Sequence, residues 1–275
     1  MKKIVFAILV MIMAAVGAVA TVSCGSDSDA EAAIAVDKKV KQRWHCKGFG
    51  LPSHIKEMVI DLTREGKMKV YVKYVDTLQG VLGLDDVWYE GHEYTYSMTV
   101  AFEDRGENAY LTLDDNTVVQ LRDVGRRSMT WYHYDYMQNG WKESPFEPIE
   151  SPLDAKKLPF HGSVTTLVGQ WMIAESSKNE FLKFQPAYGD YAVLTELPFF
   201  INGSGQFQYD GSSRFLGMQK VENGTMTMSV LGTDDPDIRI VINDPTHAQM
   251  LQATSDGFTL WHELVKETSP INVGQ

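Results

Sequence analysis

From Trp44 onward the chain alternates polar and apolar residues in short runs broken by Gly, Asn, Asp and Pro. That is the period of strands with one face buried. Met68–Val75 reads MKVYVKYV, and Tyr94–Phe102 places Tyr94, Tyr96, Met98, Val100 and Phe102 on one face. Met129–Tyr136 reads MTWYHYDY. Turn signals separate these runs, among them Glu65-Gly66-Lys67, Glu90-Gly91, Asp114-Asp115-Asn116 and Val124-Gly125. The second half repeats the grammar in Phe181–Gln185, Tyr191–Leu197, Gln206–Tyr209, Arg214–Val221, Thr225–Leu231, Ile238–Ile242 and Phe258–Val265. The pattern predicts an all-β protein.

The halves correspond at several points, as a tandem duplication would. Gln42-Arg43-Trp44 answers Gly169-Gln170-Trp171, and Trp88-Tyr89-Glu90-Gly91 answers Ile201-Asn202-Gly203. Met129 to His133 answers Phe258 to His262. We therefore expect one β domain over residues 40–139 and a second over 163–268, followed by a tail at 269–275. Between them, 140–162 holds Pro145, Pro148, Pro152 and Pro159. Such proline density speaks against a central strand and for an extended linker. Trp141, Phe146 and Phe160 imply that part of it packs against the domains.

Lys2 and Lys3, the apolar run Ile4–Val16 and the small residues 17–20 follow the order of a secretory signal over residues 1–23. Thr21-Val22-Ser23-Cys24 resembles the lipobox of bacterial lipoproteins, although Thr21 stands where leucine is commonest. The resemblance implies that Cys24 carries lipid, palmitate included, and becomes the new amino terminus. Gly25-Ser26-Asp27-Ser28-Asp29 resembles the export signal of surface lipoproteins of the Bacteroidota. Residues 24–39 then read as a flexible tether. The implied location is the outer membrane, lipid-anchored and facing either the cell surface or the periplasm. The rival reading is cleavage after Ala18-Val19-Ala20, which yields a periplasmic or secreted protein.

Leu167-Val168-Gly169-Gln170-Trp171 opens the second domain with a Gly-x-Trp on its first strand. With the run of short strands behind it, this resembles the lipocalin-like domains of exported Bacteroidota lipoproteins. The resemblance implies two tandem small antiparallel barrels, with Gly169 and Trp171 structural and Trp171 packed against the Leu260 and His262 face. Trp44 takes the same place through the repeat, although Gln42 replaces the glycine. Each unit is only roughly 95 to 105 residues, so its own side chains can fill it. A pair of β-sandwiches has the same strand count and stays open as the alternative.

Charge and chemistry narrow the function classes. Lys and Arg number 25 against 36 Asp and Glu, a formal charge of −11 that becomes −13 once Lys2 and Lys3 leave with the signal. No basic footprint for nucleic acid is present. With Cys24 lipidated, Cys46 is a lone thiol, and its neighbour His45 points to the opposite face of a strand. His262-Glu263-Leu264-Val265-Lys266 lacks the second histidine of a zincin, so no metal or cofactor is expected. The acidic turns Asp85-Asp86, Asp114-Asp115 and Asp234-Asp235-Pro236-Asp237 read as solvated tips. His133 and His262 stand near no sequence-adjacent nucleophile, and no catalytic residue is expected.

Trp131, Tyr132, Tyr134 and Tyr136 are the candidate binding residues. Alternation sets the tyrosines on one face and Trp131 with His133 on the other, and aromatic stripes suit sugars and protein partners. Asp76-Thr77-Leu78 resembles an O-glycosylation acceptor of exported Bacteroidota proteins. The expected function is non-enzymatic binding of a small apolar ligand, a glycan or an envelope protein by a chain held to the membrane through its lipid. The competing expectation is a structural or assembly subunit without a ligand cavity.

Overall fold

The structure, a computed structural model, describes residues 36–267 apart from 104–105, 136–139, 152 and 177–178. The chain is all-β and forms two closed, eight-stranded antiparallel barrels in tandem. Barrel 1 comprises β1 (Arg43–Lys47), β2 (Ile55–Asp61), β3 (Lys67–Tyr74), β4 (Trp88–Glu103), β5 (Gly106–Leu113), β6 (Val118–Arg122), β7 (Met129–Asp135) and β8 (Gly140–Ile149). Pairing of β3 with β4 and of β8 with β1 closes it. A two-residue β9 (Ala155–Lys156) lies parallel to the start of β4. Helix α1 (Asp76–Leu82) joins β3 to β4.

Barrel 2 follows helix α2 (His161–Leu167). It comprises β10 (Gly169–Ile173), β11 (Glu180–Ala187), β12 (Asp190–Ile201), β14 (Arg214–Glu222), β15 (Thr225–Val230), β16 (Ile238–Asp244), β17 (His247–Thr254) and β18 (Gly257–Lys266). The short β13 (Phe207–Tyr209) folds back on the end of β12. Strand alternation produces the interior directly: in β3, Met68, Val70, Val72 and Tyr74 are buried while the residues between them are half-exposed. Met226, Met228 and Val230 do the same in β15. The apolar residues of both barrels join into one continuous core.

Each barrel is closed at its first strand in the same way. A helical turn at 36–40 precedes β1, and fully buried Trp44 donates its indole N–H to the Val40 carbonyl at 2.9 Å. Helix α2 precedes β10, and fully buried Trp171 donates to the Leu167 carbonyl at 2.6 Å. In both cases a last-turn carbonyl that has no intrahelical partner is satisfied by the tryptophan that fills the barrel end. Val36 and Val40 are buried in the core, so the end of the sequence-predicted tether at residues 36–39 belongs to the fold.

Three further expectations need correction. The linker placed at 140–162 begins with β8, which completes barrel 1, so the first domain runs to Ile149. Prolines are tolerated because β8 changes neighbours along its length: Gly140–Phe146 pairs with β7, and Glu147–Ile149 pairs with β1. Pro145 and Pro148 each face one partner strand, as on a sheet edge. The second correction concerns the repeat. Strand order makes β4 equivalent to β14 and β7 to β17, so of the three residue matches only Trp44 with Trp171 joins equivalent strands. The third concerns Trp171, which pairs with Lys266 rather than meeting Leu260, an exposed residue. The Lys266 ammonium lies 5.2 Å from the Trp171 ring and donates to the Thr166 carbonyl near the end of α2. Gly169 opens β10 at φ +130°, with the Lys266 chain packed over it.

Candidate functional site

The tightest cluster of polar and aromatic side chains lies where the barrels meet. At the tip of the β11–β12 hairpin, Tyr188 (φ +57°) and Gly189 (φ +75°) are both left-handed, the hairpin turn that follows the strand twist. This tip enters the end of barrel 1 opposite Trp44. The Tyr188 ring stands edge-on to Trp131 at 6.0 Å and to His133 at 5.8 Å, the two rings stacked on the inner face of β7. The Gly189 carbonyl accepts from the His92 backbone N–H at 2.7 Å. A Cβ on Gly189 would lie 2.5 Å from a Val70 methyl, and one on Gly91 would lie 2.3 Å from the Gly189 carbonyl oxygen. Only glycine on both sides lets the two backbones approach this closely.

Asp190 is fully buried and holds the tip in place. One carboxylate oxygen meets His54 Nε2 at 2.6 Å. The other accepts from the Tyr74 hydroxyl and from the Ala192 backbone N–H, the latter at 2.8 Å. Burial first and the Asp190 charge second push the Tyr74 phenol well above its ordinary range, so it stays protonated and donates. Tyr191 meets His92 Nδ1 at 2.9 Å, and the Lys183 ammonium, its pKa lowered by burial, donates to the Asp115 carbonyl at 3.0 Å. On the flank, α1 packs against β14.

His133 is buried beside this tip, and burial pulls its pKa down to about 4. Among the described residues, neither of its ring nitrogens has a hydrogen-bond partner, and the buried Ser144 hydroxyl on β8 has none either. The neutral imidazole therefore acts as an aromatic plate between Trp131 and Tyr188, without the base-to-nucleophile bond of a hydrolytic triad. Among the described residues, no three His, Cys, Asp or Glu side chains converge as a metal set. Cys46 is a buried free thiol whose pKa burial raises to about 12.

The sequence-predicted aromatic group is divided by the barrel wall. Trp131 faces the interior. Tyr132 lies outside, stacked on Trp141 at 4.7 Å with the Arg122 guanidinium 3.4 Å over its ring. The Tyr134 side chain, Tyr136 and the lipidation candidate Cys24 lie outside the described residues. His54, Tyr74, Tyr188 and Asp190 were not anticipated as a group. In the sequence, Tyr188-Gly189-Asp190 is an ordinary turn, and nothing in it points to a histidine 136 positions away.

The corresponding end of barrel 2 is closed from within. Buried Glu196 accepts from Arg214 Nε at 3.0 Å and from its Nη2 at 2.5 Å. Trp261 covers the guanidinium at 4.8 Å and stacks on His262 at 4.7 Å. Among the described residues the second Glu196 oxygen has no partner, and burial raises the carboxyl's pKa in spite of Arg214. Two concavities lie on the outside of barrel 1. One, of 250 Å³, sits on the outer face of β3 around Lys69 and Tyr71; the other, of 530 Å³, lies beside the start of β1.

No protein-family model matches this chain, and no curated protein does. A solved structure, the di-domain ARO/CYC StfQ from the steffimycin biosynthetic pathway, aligns over 86% of this chain and 82% of its own. It does so at 9% identity and a TM-score of 0.12, too low to bear on fold or function.

Proposed function

We propose that this chain is a lipid-anchored envelope protein that works without chemistry of its own, as a rigid two-barrel subunit recognised through its outer surface. The observation that carries this reading is the interior. Apolar side chains from both barrels join into one buried core, and the end of barrel 1 that a small ligand would enter is occupied by the Tyr188–Asp190 tip. A fixed relation between two barrels suits assembly, because a partner then meets one preformed surface without an ordering cost. Tandem barrels are the frame of a binding protein, and an envelope protein or glycan fits outer-surface recognition better than a small apolar ligand does. The exposed face of the Tyr132–Trp141 stack offers an aromatic contact for such a partner.

Two measurements test this reading. Cells fed radiolabelled palmitate should label the wild-type chain and not a Cys24→Ala variant; label persisting in the variant removes the anchor. Cross-linking on intact cells followed by mass spectrometry should recover a reproducible envelope protein or glycan. Recovery of a stoichiometric lipid or other small apolar molecule from the purified chain would instead restore the small-ligand reading.

A further inference from the structure

The 530 Å³ concavity sits at the Trp44 end of barrel 1, where the start of β1, the β6–β7 turn and the end of β8 come together. Lys41, Arg43, Arg126 and Arg127 line it against the single acid Glu150, in a chain whose formal charge is −11. Two of these cations are already engaged: Arg43 meets Asp61 at 2.7 Å, and Lys41 meets Asp37 at 2.7 Å and Glu65 at 3.4 Å. Among the described residues, the exposed Arg126 and Arg127 have neither a hydrogen bond nor an ion pair. Two adjacent uncommitted guanidiniums bordering a pocket suit a phosphate group, which Arg can grip through two parallel N–H bonds.

Position supplies the second observation. The chain enters the fold at this end, with residue 36 only five positions ahead of Lys41. The twelve residues from Cys24 to that point span at most about 40 Å when extended. The opposite pole is acidic: the turns at the outer end of barrel 2 expose Glu175, Asp210, Asp234, Asp235, Asp237 and Asp256. Because barrel 2 docks its Trp171 end onto barrel 1, these acids lie at the far tip of the molecule. The two uncommitted arginines thus lie at the end where the tether enters, beside the ion-paired acids Asp37, Asp61 and Glu65, and the acidic pole faces away from it.

We infer that the pocket formed by Arg126, Arg127, Arg43 and Lys41 seats the phosphorylated headgroups of the membrane that holds the lipid tether, fixing the long axis of the molecule away from the bilayer. The inference rests on the anchored reading proposed above. A neighbouring anionic surface is worth about 1 kcal/mol per basic residue, or about fivefold in binding for each.

The test compares two full-length chains that both carry Cys24→Ala, so that any contribution of the amino terminus cancels. One keeps the arginines and the other adds Arg126→Glu and Arg127→Glu. Flotation with phosphatidylethanolamine vesicles is compared with flotation on the same vesicles containing phosphatidylglycerol. The arginine chain should bind the anionic vesicles at least about tenfold better than the reversed chain. That advantage should collapse in about 0.5 M NaCl, where the screening length is about 4 Å. Equal flotation of the two chains overturns the inference. So does displacement by inorganic phosphate beyond that caused by chloride at matched ionic strength, which would mark a site for the free anion. Palmitate labelling of the reversed chain with Cys24 restored reads the anchor separately, so failure of the pocket and failure of the anchored reading are told apart.

Discussion

The two barrels begin alike and end differently. Each starts with a helical turn whose final carbonyl is capped by a buried tryptophan. At the other end, barrel 2 closes on itself through the Arg214–Glu196 pair under Trp261, whereas barrel 1 is closed by a hairpin borrowed from barrel 2. One duplicated topology thus solves the problem of an open end twice, once with an internal ion pair and once with a neighbour. The second solution makes the stability of barrel 1 depend on residues more than a hundred positions away.

That dependence predicts unequal losses. Asp190→Ala should be the most damaging change, costing about 3–5 kcal/mol, because it leaves His54 and the buried Tyr74 hydroxyl without their acceptor. Thermal unfolding should then split into two transitions; a single unshifted transition would mean that the joint carries no stability. Gly189→Ala attacks the same joint sterically, through a left-handed φ and the contact with Val70, and should cost about 2 kcal/mol or more.

Next in size is a pH effect confined to barrel 1. The folded pKa of His133 is about 4, below its ordinary 6.5, so the unfolded chain binds the proton first as pH falls. The stabilisation is complete above pH 6.5 and is lost between there and about 4, amounting to about 3 kcal/mol. Melting curves of wild type and His133→Leu over this range should converge toward neutrality and separate in acid, with the leucine variant the more stable. Parallel curves would remove His133 as the source.

Arg214→Ala in barrel 2 should cost about 1–2 kcal/mol, less than Asp190→Ala, because Glu196 already has a raised pKa and can take up a proton when its partner is lost. A loss equal to that of Asp190→Ala, read by urea denaturation at neutral pH, would erase the contrast between the two ends. The smallest effect belongs to the outer wall. Trp141→Ala removes one stacked aromatic pair and should cost about 1 kcal/mol while reducing cross-linking to the proposed partner. Unchanged cross-linking would leave the stack a purely structural pair.

The strands and the all-β class were legible in the sequence because alternation and turn residues are local, whereas barrel over sandwich came only from the Gly-x-Trp resemblance; Trp44 and Trp171 were matched because they lie on equivalent strands. Strand β8 was hidden by Pro145 and Pro148, whose tolerance depends on which neighbour each half of the strand meets. The other residue matches failed because similarity of letters was taken for equivalence of strands. Of the aromatic group, alternation correctly divided Trp131 from Tyr132. It could not reveal the hairpin from the other barrel, since Tyr188 and Asp190 acquire their meaning only from His54, Tyr74 and Gly91.

The borrowed hairpin also sets an order of events for a chain made amino end first. Strands β1 to β8 are complete at Ile149, yet the tip that covers Trp131 and His133 does not exist until Asp190 has emerged. Over that interval barrel 1 presents an open aromatic mouth, the kind of surface that chaperones hold and that aggregates seek. Seating of the second barrel is then the step that ends this vulnerability, and a chain terminated between the two barrels is exposed to quality control even though every strand of its first barrel has been made.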